Sequence, residues 1–256
     1  LSISTYSALL NNYVVENIGF TGIEIGFLHT LREIPGLLAF AVIFILLIIR
    51  EQRFAYVTLI LLGIGTAYAG LTVELINFYM ATVIASVGFH YFDTVRQSLT
   101  LQWVSKEEAP VVLGQTIAVN AFVGLGTFGI IFVVLKAGIL DMGNVLVITG
   151  AATVAIALLA WAAYPAYAEK VVQTKKLVLR WRYWLYYLLT FLAGARRQIV
   201  GVFAAFLMVE KFGFGAAAVT AMLLANHLIN MFLAPRIGKL IARWGERRAL
   251  ILEYVG

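Results

Sequence analysis

Apolar residues dominate this chain in long runs that are separated by short polar or charged stretches. The runs predict helices over 1–14, 21–49, 54–70, 77–103, 111–135, 145–167, 183–208 and 216–235, with a further helix opening at 249. Several runs are near or above the roughly 20 residues that span a bilayer. The pattern therefore predicts an all-α integral membrane protein with about nine helices.

The chain also repeats itself at a fixed offset. Residues 15–20 read Val-Glu-Asn-Ile-Gly-Phe, and residues 209–214 read Val-Glu-Lys-Phe-Gly-Phe. The same offset of 194 residues aligns Arg53 with Arg247 without a gap. Membrane proteins that consist of two like-oriented halves are typically transporters. The repeat therefore predicts two parallel halves related by rotation about the membrane normal.

The offset divides the chain into three parts. Residues 1–167 are expected to form a six-helix bundle with a truncated first helix, 168–182 a basic cytoplasmic linker, and 183–256 the start of a second bundle. By the offset, the counterpart of the helix at 183–208 would begin about ten residues before Leu1. Because the chain also begins with Leu rather than Met, we expect a fragment whose last helices are missing.

Composition agrees with a membrane location, since 62% of the residues are hydrophobic, 12% are charged and the mean hydropathy is +0.93. The absence of cysteine excludes disulfides and thiolate metal sites, and three scattered histidines give no metal-ligand spacing. No metal or other cofactor is therefore expected. Small residues let membrane helices approach closely. Close-packing positions are expected in the fifth helix at Gly114, Gly124, Gly126 and Gly129.

Basic residues are strongly one-sided in the predicted topology. One side holds Arg50, Arg53, Lys106, Lys170, Lys175, Lys176, Arg180, Arg182, Arg236, Lys239, Arg243, Arg247 and Arg248. Loops on the other side hold Lys136 and Lys211. The first side is expected to be cytoplasmic, in a multi-pass protein of the plasma (inner) membrane. This sidedness accounts for the net charge of +6 through contact with the lipid bilayer, and no nucleic-acid partner is expected.

The predicted cytoplasmic run 238–248 reads Gly-Lys-Leu-Ile-Ala-Arg-Trp-Gly-Glu-Arg-Arg. It resembles the signature loop of the major facilitator superfamily, Gly-x-Leu-Ala-Asp-Arg-x-Gly-Arg-Arg/Lys-Arg/Lys. The matching positions are Gly238, Leu240, Arg243, Gly245, Arg247 and Arg248. The family's Asp falls on Ala242, so the charge relay made by that Asp is not expected in this half. The corresponding loop of the first half keeps only its basic ends, Arg50 and Arg53.

The resemblance implies a fold of two parallel six-helix repeats around a central cavity, and a transporter that rocks to expose one binding site alternately to each side. It implies secondary active transport of a small-molecule substrate, and we expect a monomer. It also implies that the first, fourth, seventh and tenth helices line the cavity. In the signature run, glycines permit tight turns, and the arginines are expected to act either as a membrane anchor or as a cytoplasmic gate.

Charged residues inside the spans are costly unless they face a partner or a wet cavity. Arg197, followed by Gln198, lies near the middle of the seventh predicted helix, which contains no acid within the span, and Arg96, followed by Gln97, lies on the fourth. Because the resemblance places both helices at the cavity, we expect their guanidinium groups to bind the carboxylate or phosphate of an organic anion. Alternatively, Asp93 neutralises Arg96, three residues away.

The fourth helix carries further candidates in one polar stripe. At helical spacing, the stripe comprises Ser86, His90, Asp93, Arg96 and Gln97. Asp93 and His90 are candidate carriers of a coupled proton. Asn11 in the first helix and Asn120 in the fifth are candidate hydrogen-bonding partners of a substrate.

The second helix carries His29, Arg32 and Glu33 on one face, just before Pro35, where the helix can kink. Glu33 is a third candidate proton carrier, since desolvation favours the neutral form of a carboxyl group. The alternative for this group is a structural polar cluster between helices.

Two other functions stay open. One is a proton-driven exporter of cationic or neutral compounds that uses Asp93 and Glu33, although the fifth helix lacks the Gly-Pro pair of the family's drug antiporters. The other, more remote, is an integral membrane enzyme or receptor. The sequence contains no P-loop, His-rich metal spacing or Gly-x-Ser-x-Gly motif, so an enzyme is not expected.

Overall fold

The computed structural model describes residues 1–167, 180–198 and 216–255. Within these ranges the chain is helical and contains no β-strand, which confirms the all-α prediction. The helices in chain order are α1 (Ser2–Tyr13), α2 (Gly22–Leu37, continued after a 3-10 turn by Val42–Ile45), α3 (Glu51–Leu71), α4 (Leu75–Trp103), α5 (Ala109–Lys136), α6 (Met142–Ala163), α7 (Trp184–Gln198), α8 (Ala216–Trp244) and α9 (Glu246–Val255).

Five of the described helices, α2 to α6, are long and apolar enough to cross a membrane. Their outward faces carry many exposed large apolar side chains, such as Phe122 and Ile130 of α5 and Leu159 of α6. Patches of this extent are rare on soluble monomers but match the hydrocarbon of a bilayer. The chain is therefore a membrane protein.

Helix α3 packs between α4 and α6, and its backbone contacts the backbones of both helices. A Cβ atom added at Gly65 would lie 2.3 Å from the Ala85 nitrogen of α4, and one at Gly70 would lie 2.4 Å from the Gly143 carbonyl oxygen of α6. These positions admit no side chain. Close approach through glycine is how helices gain packing energy where lipid competes equally for apolar contacts.

Helix α1 joins this core through hydroxyl and aromatic contacts. The hydroxyls of Tyr6 and Thr82 are 2.5 Å apart, and the ring of Tyr13 stacks on fully buried Phe78 with their centroids 5.7 Å apart. A π-helical turn (Val14–Ile18) follows and ends at Gly19, whose φ of 79° is left-handed. The first copy of the repeated loop is therefore a tight turn that depends on glycine.

Helix α2 has a defined beginning and an internal interruption. The Thr21 side chain accepts a hydrogen bond from the Ile23 amide, while the Glu24 carboxylate accepts one from the Thr21 amide at 2.8 Å. This reciprocal capping fixes the first turn. The α-helix gives way to a 3-10 turn at Leu38–Ala41, shortly after Pro35. Proline removes a backbone donor and disturbs the helix around it.

Several helix ends differ from the sequence prediction. Helix α6 ends at Ala163 rather than at residue 167. The prediction that the eighth helix ends at residue 235 was wrong, because α8 continues through Pro235 to Trp244. Its last turns carry exposed Lys239 and Arg243, which are four residues apart and so share one face. The basic residues at the end of this predicted span therefore belong to the helix and not to a loop.

Residues 168–179 of the predicted linker and residues 199–208 of the predicted seventh helix lie outside the described residues. Within the described part, a 3-10 turn at Trp181–Tyr183 leads directly into α7.

Candidate functional site

Helix α5, from the predicted first half of the chain, packs closely against α8, from the predicted second half. A Cβ at Gly114 of α5 would lie 2.5 Å from the Ala234 carbonyl oxygen, and one at Gly238 of α8 would lie 2.4 Å from the Pro110 carbonyl oxygen. Further along, the Phe128 and His227 rings meet edge to face at 5.5 Å. We call this contact the α5–α8 seam; it comprises Pro110, Gly114, Gly124 and Phe128 on α5 and His227, Ala234 and Gly238 on α8.

The seam changes the roles predicted for several glycines. Gly114 and Gly124 are close-packing positions as expected, but a Cβ at Gly126 or Gly129 would meet no atom of the described residues within 4 Å, so neither packs closely within this part of the chain. Gly238 was expected in a turn, yet it lies inside α8 and is required for its approach to α5. The turn glycine of the signature run is Gly245, with φ of 84° between α8 and α9.

An ion pair lies inside the span of α2. The Arg32 guanidinium donates two hydrogen bonds to the Glu33 carboxylate, through Nη2 at 3.0 Å and Nε at 3.2 Å, and the side chains are 31% and 40% exposed. The two residues are adjacent in the chain, so the pair forms within one helix. It neutralises the charge of Arg32 and keeps both groups partly accessible.

A second ion pair lies on α4. Arg96 Nη2 lies 2.5 Å from Asp93 Oδ1, and the side chains are 29% and 43% exposed. This confirms the alternative in which Asp93 neutralises Arg96. In this conformation the Arg96 guanidinium is engaged by the protein, and an anionic substrate would have to compete with Asp93 for it.

The N-terminal part of the polar stripe of α4 packs against α2. Buried Ser86 donates a hydrogen bond from its hydroxyl to the Arg32 carbonyl oxygen. The His90 ring fills the space left by Gly36, where an added Cβ would lie 2.8 Å from the imidazole Cε1. Ser86 and His90 therefore join α2 to α4, while Asp93 and Arg96 lie further along the same helix.

Other predicted site residues are dispersed. Asn11, Gln97 and Asn120 are exposed on α1, α4 and α5, and among the described residues their side chains form no hydrogen bond with one another. The backbone of α7 reaches Arg197 and Gln198, but their side chains lie outside the described residues. The signature residues Leu240, Arg243, Arg247 and Arg248 are exposed at the junction of α8 and α9.

Sequence reasoning missed one buried acid. Glu51, at the first turn of α3, is 6% exposed, and its carboxylate accepts hydrogen bonds from Ser98 Oγ at 2.7 Å and from Gln102 Nε2. In the sequence it appeared as part of a basic loop. The available signal was the spacing of Ser98 and Gln102, since residues four apart share one helix face.

Comparison with known proteins finds no relative: no family model matches the chain, and no curated protein or solved structure is similar to it.

Proposed function

We propose that this chain forms part of a secondary active transporter of the major facilitator type, which moves a small solute across a membrane by alternating access. The α5–α8 seam carries the proposal, because α5 lies in the proposed first half of the chain and α8 in the proposed second half. A duplicated helical bundle with both halves in direct contact is the arrangement that rocking transporters use.

Helix beginnings in the two halves support the duplication. Helix α3 begins at Glu51 and α9 at Glu246, 195 residues later, which is within one residue of the sequence offset. In each predicted half this helix begins inside the basic run that was aligned from the sequence. Parallel duplication of this kind relates the halves by an axis along the membrane normal.

The chemistry of the seam suits sliding motion. At Gly114 and Gly238 the opposing surfaces are backbone, so no large side chains interlock there. Small displacements of packed helices proceed more easily between such surfaces than between interdigitated side chains. In the proposed mechanism, a rotation of one half about the seam opens the binding site to one side of the membrane and closes it to the other.

The proposed substrate is an organic anion. Arg197 and Arg96 are its candidate partners, and the Asp93–Arg96 pair is accessible enough for exchange, with 43% of the Asp93 side chain exposed. A substrate carboxylate that binds Arg96 in place of Asp93 leaves Asp93 without a counter-charge. A proton that binds Asp93 then restores neutrality. The same exchange is open to the Arg32–Glu33 pair. Anion binding and proton binding are thus linked in this scheme.

A reversible cross-link across the seam tests the proposal. The chain contains no cysteine, so Phe128→Cys and His227→Cys introduce a defined thiol pair at a position where the native rings are 5.5 Å apart. In proteoliposomes of the full-length protein, a short reducible bis-thiol bridge is expected to stop solute flux, and reduction is expected to restore it.

The matched control bridges two helices of the same half. Phe27 and Tyr79, on α2 and α4, have ring centroids 5.2 Å apart, so Phe27→Cys with Tyr79→Cys accepts the same reagent. Because α2 and α4 move together in the proposed mechanism, this bridge should leave flux largely intact. Full flux through protein that is quantitatively bridged at the seam contradicts the proposal.

A further inference from the structure

A cavity of about 450 Å³ opens at the end of the first bundle where α3 begins and α4 and α6 end. Its size falls within the range of about 300–1,000 Å³ that is typical of small-ligand sites. It is separate from the ion pairs of α2 and α4. We call it the arginine–aromatic cavity; its principal lining residues are Arg50, Arg53, Tyr56, Trp103, Trp161 and Tyr167.

The cavity lining includes two arginines and one buried acid, which leaves it with a net positive charge. Arg50 and Arg53 are exposed, and neither has an acidic partner within salt-bridge distance in the described part of the chain. Glu51 also lines the cavity, but its carboxylate is buried and held against α4 by Ser98 and Gln102. The guanidinium groups therefore dominate the charge at the mouth.

The cavity wall is aromatic and fixed in place. Tyr56 and Trp161 stack with centroids 5.8 Å apart, and Trp103 meets Tyr167 edge to face at 4.8 Å. Tryptophan and tyrosine concentrate at the headgroup level of membranes, because their rings are apolar and their N–H or O–H groups remain hydrated. The wall therefore places the cavity at the boundary between hydrocarbon and water.

The Gln52 side chain forms two hydrogen bonds with the backbone of the segment that follows α6. Its Nε2 donates to the Pro165 carbonyl oxygen at 3.0 Å, and its Oε1 accepts from the Tyr167 amide at 3.0 Å. These two bonds keep Tyr167 at the cavity. The aromatic wall is therefore preformed rather than assembled by a ligand.

We propose that the arginine–aromatic cavity binds the headgroup of an anionic phospholipid. Two guanidinium groups at its mouth suit a phosphate, which accepts paired hydrogen bonds from each planar fork. The aromatic wall suits the first methylenes of the acyl chains, which soluble glycerol phosphate lacks. The membrane boundary supplies this ligand at high local concentration.

The test measures lipid binding by the full-length protein in mild detergent. Added phosphatidylglycerol is expected to raise the melting temperature and to remain bound in native mass spectra, whereas phosphatidylcholine and soluble glycerol phosphate are expected to do neither. In the Arg50→Gln/Arg53→Gln variant, retained phosphatidylglycerol should fall by roughly tenfold or more, because both guanidinium groups that bind the phosphate are lost.

The matched control removes two exposed cations from the same predicted face, Lys106 and Lys239, neither of which lines the cavity. Lys106→Gln/Lys239→Gln should change retention by no more than about twofold, since distant surface charges are screened. Both variants should melt like the wild type in phosphatidylcholine, which shows that they are folded.

Three outcomes overturn the proposal. Equal losses in the two double variants would reduce the effect to general surface charge. Equal retention of phosphatidylcholine would show that the cavity does not select an anionic headgroup. Stabilisation by glycerol phosphate as strong as that by phosphatidylglycerol would assign the cavity to a soluble phosphate ester. None of these outcomes bears on transport, so the proposed function is tested separately.

Discussion

Gly238 of α8 lies against the backbone of Pro110 on α5, so that a Cβ atom on Gly238 would stand 2.4 Å from the Pro110 carbonyl oxygen. Four residues earlier on α8, the carbonyl of Ala234 makes the reciprocal contact with Gly114. Two successive turns of α8 thus touch α5 through backbone alone. This relationship holds α5 against α8 and makes the seam sensitive to a single methyl group.

Gly114→Ala and Gly238→Ala should each weaken the seam. The added methyl groups would contact backbone atoms, which cannot move aside as a flexible side chain can, and such overpacking typically costs about 1–3 kcal/mol. The melting temperature of the purified protein should fall, and cross-linking of Phe128→Cys to His227→Cys should become less efficient. Gly126→Ala is the control on the same helix, because a Cβ there meets no atom of the described residues within 4 Å. Equal effects at Gly126 and Gly114 would refute the close approach.

Removal of one member of the Asp93–Arg96 pair should cost more than removal of both. Asp93→Asn leaves the Arg96 charge unmatched inside a span, which we expect to lower stability by about 1–2 kcal/mol, less than for a fully buried pair because both groups are partly exposed. Asp93→Asn/Arg96→Gln should recover at least part of this loss. A double-mutant cycle from thermal melts measures the coupling, and strictly additive losses would mean that the pair contributes nothing.

The helix bounds and one buried acid show how far the sequence could predict the structure. Long apolar runs predicted the spans α2 to α6 well, because bilayer thickness constrains helix length. The end of α8 was missed, since the basic residues around Lys239 look like a loop although they also suit a helix that projects into water. Burial of Glu51 was missed because its partners lie on α4, about 50 residues away.

Candidate chemistry was harder to predict than the fold. Adjacent or near-adjacent charges, such as Arg32 with Glu33, pair within one helix and could be predicted from spacing alone. Which glycines face another helix could not be predicted, because Gly124 and Gly126 differ only in the side of α5 on which they fall. The arginine–aromatic cavity joins three distant segments, and no local pattern reveals it.

The orientation of the chain in the membrane is predicted separately, from the distribution of basic residues between the two sides. Single cysteines at Asn17 and Asp141 should react with an impermeant reagent applied from outside intact cells, whereas cysteines at Lys106 and Glu246 should react only after permeabilisation. Both members of each set are exposed in the structure, so burial does not mask them. The second copy of the repeated loop, at Lys211, is also predicted outside and lies beyond the described residues. Reaction of all four positions from one side would refute the topology.

Arg197 is the sharpest test of the substrate class. Arg197→Lys keeps the positive charge but removes the planar two-pronged donor, so a binding role predicts a large loss of anion affinity with normal membrane insertion. Arg197→Gln should lose binding more completely. Thermal stabilisation by a panel of organic anions, cations and neutral solutes measures this, because a ligand of the folded state raises its melting temperature. Unchanged stabilisation by every responsive anion in Arg197→Gln would leave Arg197 a structural residue.

Flux through the full-length protein in proteoliposomes tests transport most directly. A solute that raises the melting temperature is loaded on one side, and its labelled form is supplied on the other. Alternating access predicts counterflow, in which the label accumulates transiently inside faster than in protein-free vesicles, and predicts that the α5–α8 bridge abolishes it while the α2–α4 bridge does not. A stabilising solute that never exchanges across the membrane, under any imposed solute or proton gradient, would contradict the account.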